Sequence, residues 1–577
     1  MTPRVRYWRG TALLAFVVTA LPATVGCSER SAEASPNDNA ALAAMLQQKA
    51  DSMPRDSVAD LPRGTVDTTY VPPSGRTHRV AANGNLQRAL DQAQPGDVVL
   101  LAPGAIYTGK FVLPRKPCVA NKWITVRTDL PDSTLPGPGQ RLTPAKAARF
   151  AKLVTDNSGA ALKTATPTCG WWLTAFEVTA SPKLDRSTVN YGIMALGDGG
   201  WREGGEEQTT LAKVPSRIVV DRMYIHGLAG TNSLRCLTLN SANSAVLNSW
   251  ISDCHAKGFD SQAIEGWNGP GPYLIENNFI AGAGENLMFG GADPGIHGLI
   301  PSDITIRRNH FYKDPAWKGV WTVKNLFELK NAGRVLIEGN IFENNWADAQ
   351  AGMAIVIKSS HDACGSCTWQ GTRDVTFRYN IVRNSPRGFN LQAVDGESDR
   401  HVSRVRVEHN LFHDIGRFNG TGEDGWLLLL THDLKDITIA HNTFVHNVTG
   451  FGTAVVMDGY GQARNLRITD NVFTSPAGYA LFHSGTKVGI ESLQKMASAS
   501  WAFERNVVGA TNPEFAPWHP QQSWYPASID AIGFLDPASK DYRLSPKSAF
   551  KGRAKGGKDP GADFARIRSA TQGVIVR

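Results

Sequence analysis

Charged side chains alternate with apolar ones in two short segments of the sequence, 325–330 and 354–358. The first segment carries Glu328 and Lys330, and the second ends with Lys358. If the apolar residues of such a strand face a core, its charged residues face outward on one side, about 7 Å apart. Two ammonium groups that lie close together disfavour each other's charge, which lowers the pKa of one of them. We therefore take Lys330 as a candidate catalytic base, with Glu328 and Lys358 beside it.

Two more glutamates and an arginine extend this set. Glu265 and Glu285 precede the two segments, and Arg387 follows them. Carboxylate oxygens are preferred ligands of Ca²⁺, and a guanidinium can hold a carboxylate through two hydrogen bonds. We expect Glu265 and Glu285 to bind Ca²⁺ and Arg387 to hold a carboxylate of the ligand.

The elements that must position these residues belong to an internal repeat. Nine segments share an apolar–polar–apolar strand, then an asparagine, then a bulky apolar residue two positions later. Their asparagines are Asn248, Asn278, Asn309, Asn340, Asn380, Asn410, Asn442, Asn471 and Asn506. A unit of about 30 residues is too short to bury its own apolar face, so each must stack on its neighbours.

This repeat predicts an all-β fold, a single-stranded right-handed parallel β-helix, which is a solenoid. A second apolar strand lies between consecutive asparagines, as at 325–330 and 426–430. Coils of such a helix stack about 4.8 Å apart. Asparagine suits a tight bend because it tolerates left-handed backbone geometry, and its amide can bond to the same residue one coil away.

The sequences at the two ends of the repeat are similar to those of a known protein family. Residues 86–104, a short amphipathic helix followed by Pro95-Gly96-Asp97 and an apolar strand, resemble the opening of pectin-lyase-like β-helix proteins. These include pectate lyases and lyases of the chondroitinase/alginate kind. The segments 541–546 and 556–562 resemble their C-terminal closing segment. The resemblance covers residues 80 to 565 and implies that the N-terminal helix caps the open end of the sheets.

The resemblance implies an extracellular polysaccharide as the partner and β-elimination of a uronate-containing chain as the reaction. A uronate loses its C5 proton only when its carboxylate is neutralised, after which a base takes the proton. The chondroitinase/alginate lyases carry a Glu-x-Glu pair followed by Lys, whereas this chain has only Glu328-Leu-Lys330. The dense Asp cluster of pectate lyases is missing from the sequence as well. The family's catalytic residues therefore do not transfer one by one.

Three other interpretations stay open. Glu328, Lys330 and Lys358 can be ordinary charges on a solvated sheet face. A glycoside hydrolase would need two carboxylates about 5–10 Å apart, for which Glu328 pairs with Asp458 or Glu285. The chain can also be a non-catalytic β-helix lipoprotein that binds glycans or serves as a structural element.

The N-terminus predicts export and a lipid anchor. A basic start is followed by the apolar run 11–21 and by Thr24-Val25-Gly26-Cys27, which resembles a bacterial lipobox. We expect residues 1–27 to be a signal peptide and Cys27 to be lipidated. Residues 28–72 are then a flexible tether, 73–565 the β-helix and 566–577 a C-terminal tail. Ser28 favours sorting to the outer membrane, where the lipid is the chain's only membrane contact.

Cysteine number and net charge complete the expectations. Six cysteines remain beside Cys27, and an oxidising compartment favours disulfides among them. The simplest pairs are Cys118–Cys169, Cys236–Cys254 and Cys364–Cys367, the last being favoured over half of a metal site with His361. A formal net charge of +8 over 577 residues is too small to predict a nucleic-acid partner. We expect the protein to be a monomer.

Overall fold

The computed structural model describes residues 58–575 with ten internal gaps. The gaps are 185–186, 200–207, 362–366, 397–399, 419–420, 423–424, 448–451, 476–482, 485–486 and 498–499. The predicted signal peptide, the lipidation site Cys27, most of the tether and Cys364 lie outside the described residues. None of the helices described is long and apolar enough to cross a membrane.

The described chain forms three long sheets whose strands are visited in the order sheet 1, sheet 2, sheet 3, coil after coil. Sheet 1 has 14 strands: Thr77–Val80, Val98–Leu101, Ile124–Thr128, Cys169–Thr174, Ser216–Asp221, Ala242–Leu247, Tyr273–Glu276, Ser302–Arg307, Ala332–Glu338, Thr372–Arg378, Ser403–Glu408, Lys435–Ala440, Arg464–Thr469 and Trp501–Glu504. Sheet 2 has 13: Ile106–Thr108, Lys152–Thr155, Glu177–Ala180, Tyr224–His226, Trp250–Cys254, Phe279–Gly282, His310–Tyr312, Ile341–Glu343, Ile381–Ser385, Leu411–Ile415, Thr443–His446, Val472–Thr474 and Val507–Gly509. Sheet 3 has 13: Phe111–Leu113, Leu162–Thr164, Met194–Leu196, Arg235–Leu239, Gln262–Gly266, Glu285–Phe289, Phe327–Leu329, Met353–Ser360, Arg387–Asp395, Leu428–Thr431, Val455–Asp458, His483–Ser484 and Lys487–Val488.

Nearly all pairings within these sheets are parallel, because each strand lies on the equivalent strand of the next coil. The exception in sheet 3 is its last pair, which is antiparallel. Two small antiparallel hairpins lie outside the three sheets, Arg417–Phe418 with Thr421–Gly422 and Phe534–Asp536 with Asp541–Leu544. This is the predicted parallel β-helix.

Helices are few and short. The α-helices are Leu86–Gln92, Ile490–Met496 and Phe564–Thr571. The 3₁₀ helices are Asp132–Thr134, Pro144–Ala147, Leu211–Lys213, Pro315–Trp317, Pro513–Trp518, Asp530–Ile532 and Lys555–Gly557. Leu86–Gln92 starts at Asn85, whose side chain accepts from the Arg88 N–H, and its buried face joins the main core. It is the predicted N-terminal cap.

The core is the inside of the solenoid, where inward-facing residues of successive coils stack on one another. On sheet 2, Phe311 lies on Phe342 with ring centroids 4.4 Å apart. Further along the same sheet, Phe444 lies 4.6 Å from Phe412 and 4.9 Å from Phe473. All five rings are buried, so the alternation in the sequence does report an apolar interior.

The corner between sheets 1 and 2 carries an asparagine ladder. Its eight members are Asn278, Asn309, Asn340, Asn380, Asn410, Asn442, Asn471 and Asn506, and all are buried. The Oδ1 of each member after Asn278 accepts both the backbone N–H and the Nδ2–H of the member one coil earlier, with Nδ2···Oδ1 distances of 2.9–3.1 Å. The ladder therefore lines up as the repeat predicted.

Two details of this corner differ from the prediction. The left-handed residue is the one before each ladder asparagine, as at Tyr379 and His409, both with φ near 55°. Asn248 is not a ladder member, because it occupies such a left-handed position itself, with φ 52°. Ser249 takes the ladder place and donates its N–H to the Oδ1 of Asn278. The ladder asparagine thus bonds across coils, and its neighbour makes the bend.

Both ends of the predicted β-helix are packed more extensively than expected. Residues 58–72, predicted as tether, lie on sheet 1, where Val66 and Val71 pack against the cluster of Trp123 and Trp172. Their apolar side chains cover tryptophans that would otherwise face water. The helix Phe564–Thr571 extends the folded part beyond residue 565, and its Ile567 is buried against the outside of sheet 2.

Two of the predicted disulfides are present. Cys118 is bonded to Cys169, and Cys236 to Cys254. Cys367 is also disulfide-bonded, but its predicted partner Cys364 lies outside the described residues.

Candidate functional site

The outer face of sheet 3 presents one side chain per coil in a continuous column. Adjacent members are register partners: Lys163, Ala195, Thr238, Glu265, Met288, Glu328, Val356, Asn390, Leu429 and Val456. Phe327 and Leu329 belong to the core, so the predicted phase of this strand is confirmed. Glu328 faces outward, yet its side chain is 0% exposed.

Glu328 is buried because other polar side chains surround its carboxylate. The Nζ of Lys358 lies 3.4 Å from its Oε1, and the Nζ of Lys330 lies 3.8 Å from the same oxygen. Asn325 donates from Nδ2 to Oε2 at 2.6 Å. Lys358 also contacts Asp395, with Nζ···Oδ2 2.7 Å. The predicted neighbours Glu328, Lys330 and Lys358 therefore form one cluster, which we call the Glu328 cluster.

The electrostatics of the Glu328 cluster differ from the expectation of two repelling lysines. Burial raises the pKa of Glu328, but Lys330, Lys358 and the nearby Lys324 outweigh burial and hold that pKa well below its usual value. Burial lowers the pKa of Lys358, but Glu328 and Asp395 outweigh it and raise that pKa. The predicted lowering does not occur at Lys358, because a carboxylate lies between the two ammonium groups.

The interpretation as ordinary charges on a solvated face does not fit this geometry. The side chain of Lys330 is only 15% exposed and that of Lys358 only 12%, and the side chain of Glu328 is fully buried. Burying a charge is costly unless it is paired and hydrogen-bonded. Here the ion pairs of Glu328 with Lys330 and Lys358 offset that cost.

Glu285 lies one coil before Glu328 in a contrasting environment. It accepts from Nε2 of Gln262 at 2.7 Å, and its Oε1 is 3.6 Å from the Nζ of Lys324. Lys324 is bound more closely to Asp260, at 2.6 Å. Burial raises the pKa of Glu285, and Lys324 offsets this only in part. Two carboxyl groups in adjacent coils thus have pKa values shifted in opposite directions.

The predicted calcium ligands Glu265 and Glu285 do not converge. Glu265 forms an ion pair with Arg235, whose guanidinium lies 5.3 Å from the centroid of the Trp267 ring. Glu285 is bound by Gln262 and Lys324. No group of three or more His, Cys, Asp or Glu residues that could hold a metal ion occurs within the described part of the chain. This arrangement does not fit a shared Ca²⁺, and the calcium site stays a prediction.

Arg387, the predicted carboxylate clamp, lies apart from the Glu328 cluster. It is the register partner of Met353 at the start of its strand, whereas Gln392 is the partner of Lys358. The five residue steps from Arg387 to Gln392 span about 16 Å. The Arg387 guanidinium lies 3.9 Å from the centroid of the Trp426 ring. It could contact only a ligand that extends along the strand direction.

The loop after Phe289 forms a wall beside Lys330. Asn331 donates from Nδ2 to the Leu299 carbonyl at 3.4 Å, and Gln370 donates to Oδ1 of Asp293 at 2.6 Å. Gly290, with φ 90°, lies so close that an added Cβ would be 2.9 Å from the Cβ of Lys330. The loop can therefore follow the cluster closely only because this residue is glycine.

Three polar residues of the site were missed by sequence reasoning. Lys324 lies in the turn before its strand, where alternation carries no information about direction. Asn325 is the first residue of the segment 325–330, and Asp395 lies in a bulged part of its strand. Their positions at strand ends beside Glu328 and Lys358 were the available signal.

Comparison with known proteins supports the fold. Residues 286–493 match the family model described as right handed beta helix region. No curated protein matched the sequence significantly.

Solved structures that resemble the chain do so at low identity. An alginate lyase from Paenibacillus sp. str. FPU-7 is 14% identical, with 72% of this chain and 96% of that chain covered and a TM-score of 0.27. A GH87 alpha-1,3-glucanase from Streptomyces thermodiastaticus strain HF3-3 is 14% identical, with 80% and 72% covered and a TM-score of 0.42. A mannuronic acid specific polysaccharide family 6 lyase from human gut microbiota is 12% identical, with 81% and 94% covered and a TM-score of 0.41. Scores this low carry no functional argument. The order and register of the strands show a parallel β-helix, and the right handed beta helix model that residues 286–493 match agrees with it.

Proposed function

We propose that the chain is a polysaccharide lyase that cleaves a uronate-containing chain by β-elimination on the outer face of sheet 3. The observation that carries this proposal is the Glu328 cluster, in which two largely covered ammonium groups lie within 4 Å of one buried carboxylate oxygen. Two covered ammonium groups side by side can bind the carboxylate of a sugar, because charge interactions strengthen where water is excluded.

The two lysines take different roles in this proposal. Lys358 has a raised pKa and stays an ammonium, so it neutralises the uronate carboxylate and makes the C5 proton acidic. Lys330 lies farther from Oε1 of Glu328, at 3.8 Å against 3.4 Å, and in its neutral amine form it takes the C5 proton. The C4–O glycosidic bond breaks as the C4–C5 double bond forms, and Lys330 then gives this proton to the leaving oxygen. Glu328 holds both amines in place through its ion pairs. No step is assigned to Ca²⁺ or to Arg387.

Export places the enzyme where such polysaccharides occur. The lipobox-like Cys27 would tether a monomer to the outer membrane, with the lipid as its only membrane contact. The disulfides Cys118–Cys169 and Cys236–Cys254 support export, because disulfides persist in oxidising compartments.

Product formation on a panel of polysaccharides tests the proposal. Pectate, alginate and glycosaminoglycan are incubated with the protein, with and without Ca²⁺, and the ultraviolet absorbance of the unsaturated product is followed. We expect activity on at least one uronate polymer, abolished in Lys330→Ala. Lys163→Ala is the matched control, because Lys163 is on the same outward column five coils away, and it should keep its activity.

A non-catalytic glycan-binding protein is the second candidate. It is favoured by the pairing of both lysines with Glu328, since a paired ammonium is a poor base. Glycan retention without unsaturated product on the whole panel would establish it in place of the lyase.

A further inference from the structure

A second group of basic residues lies on sheet 1, outside the Glu328 cluster. Arg373, Ser403, Lys435 and Arg464 are register partners on four successive strands. Adjacent strands are about 4.8 Å apart, so the row spans roughly 14 Å. We call it the basic row.

The carboxylates nearest the basic row are engaged by other partners. Each position after the row has left-handed backbone, as at Asp374, Arg404 and Asp436. Arg404 grips Asp374 with two hydrogen bonds of 2.5 and 2.7 Å, and Asn465 donates to Asp436 at 2.6 Å. Arg404 neutralises Asp374, and Asp436 accepts from the neutral amide of Asn465, so the shortest side-chain contacts of both carboxylates are with corner residues and not with the basic row.

The basic row itself is weakly compensated. Within the described residues, Lys435 and Arg464 have no carboxylate oxygen within 4.0 Å of their side-chain nitrogens. In the described part of the chain, the one carboxylate this close to Arg373 is that of Asp374, with Nε···Oδ2 3.9 Å. Burial and the neighbouring Arg400 lower the pKa of Arg373. Like charges held this close attract an anion to the space between them.

A groove of about 420 Å³ lies over the basic row. Its lining also includes Arg400, His401, Arg404 and Asp433, with His401 bonded to Asp433 at 2.6 Å. The only aromatic ring in the described lining is that of His401. Single-stranded nucleic acids depend on aromatic stacking platforms, so the lining does not favour them.

We propose that the groove is a second binding site for a glycan polyanion, with carboxylate or sulfate groups that meet Arg373, Lys435 and Arg464. A small anion could reach only one or two positions of a row this long, whereas a linear polymer can follow all of it. The choice of a glycan rests on the proposed function. A polymer held on sheet 1 stays near the protein while the Glu328 cluster on sheet 3 acts on it.

Binding measured in a Lys330→Ala background tests this site separately from catalysis. The test variant carries Arg373→Gln, Lys435→Gln and Arg464→Gln. The control carries Lys110→Gln, Lys122→Gln and Lys146→Gln, three exposed lysines elsewhere whose removal changes the net charge equally. Alginate, polygalacturonate and duplex DNA are titrated by calorimetry at low and high salt, and circular dichroism checks that each variant is folded.

We expect the groove variant to bind roughly tenfold more weakly at low salt, with the difference shrinking at high salt, and the control to change less than about twofold. Equal losses in both variants, or no loss in the groove variant, would overturn the site. Tighter binding of duplex DNA than of either glycan would overturn the ligand class. Failure of the lyase assay alone would leave this binding result standing.

Discussion

The asparagine ladder and the Glu328 cluster are both groups of buried polar side chains, but they differ in charge and in extent. The asparagine ladder between sheets 1 and 2 is neutral, and each amide is satisfied by its equivalents in the adjacent coils. The Glu328 cluster on sheet 3 is charged and confined to a few coils, where residues such as Lys324 and Asp395 have no repeat equivalents. A polar residue that recurs in every coil stabilises the fold of every coil. A buried charged group that does not recur is costly to desolvate, and such a departure from the repeat indicates a functional site.

The largest loss of stability should come from disrupting the Glu328 cluster. Glu328→Gln removes the carboxylate between Lys330 and Lys358, although Lys358 keeps its ion pair with Asp395, so the free energy of unfolding should fall by about 3 kcal/mol. Chemical denaturation measures this, and product formation should be lost in the same variant. An unchanged free energy of unfolding would show that Glu328 does not hold the two lysines.

A smaller loss of stability is expected from disrupting the asparagine ladder. Asn380→Ala removes the Oδ1 that accepts the N–H and Nδ2–H of Asn340, which leaves buried donors unpaired. The free energy of unfolding should fall by about 1–3 kcal/mol, while product formation by the folded variant stays normal. Asn83→Ala, at an exposed asparagine outside the ladder, is the matched control and should change neither quantity.

Acid should weaken the ladder corner before it neutralises Glu328. Burial and His441 lower the pKa of His409 to about 4, and its ring stacks on that of His441 with centroids 4.9 Å apart. A histidine with a lowered pKa binds more protons when unfolded, so stability is full above its ordinary pKa of 6.5 and falls as pH drops toward 4. We expect a loss of about 1 kcal/mol across this window, discounted for partial exposure. Thermal unfolding against pH measures it, and a slope unchanged in His409→Gln would contradict it.

The smallest effect is expected at an exposed ion pair. Arg307 lies 2.9 Å from Glu276 on sheet 1, with its side chain 44% exposed. Arg307→Gln should change the free energy of unfolding by less than about 0.5 kcal/mol, because water screens the pair. A loss as large as that of Glu328→Gln would remove the distinction between buried and exposed charges drawn above.

Much of the fold was predictable from local pattern. The alternation at Phe327 and Leu329 fixed which side of the strand faces inward, and the spacing of Asn309 and Asn340 predicted the ladder. Lys330 and Lys358 were expected to be neighbours, and register between Leu329 and Ile357 confirms this. These features depend on strand period and coil length, which are local properties of the chain.

The candidate site was less predictable because it depends on contacts between coils. The repeat suggested that Arg387 lies close to Lys358. Its register with Met353 instead places it at the opposite end of its strand from Gln392, the partner of Lys358. Glu265 appeared free, but Arg235 from the coil before it binds its carboxylate. Neither outcome is encoded in the spacing of the residues concerned.

The sequence by itself determined that the chain coils into a parallel β-helix, which residues face its interior and where the ladder asparagines stand. Tertiary structure decided that Glu328 is buried between two lysines and that residues 58–72 pack on sheet 1. The physical reason is that periodicity specifies direction relative to a single strand. Burial and charge pairing depend instead on what neighbouring coils and loops bring over that strand, and loop paths have no period.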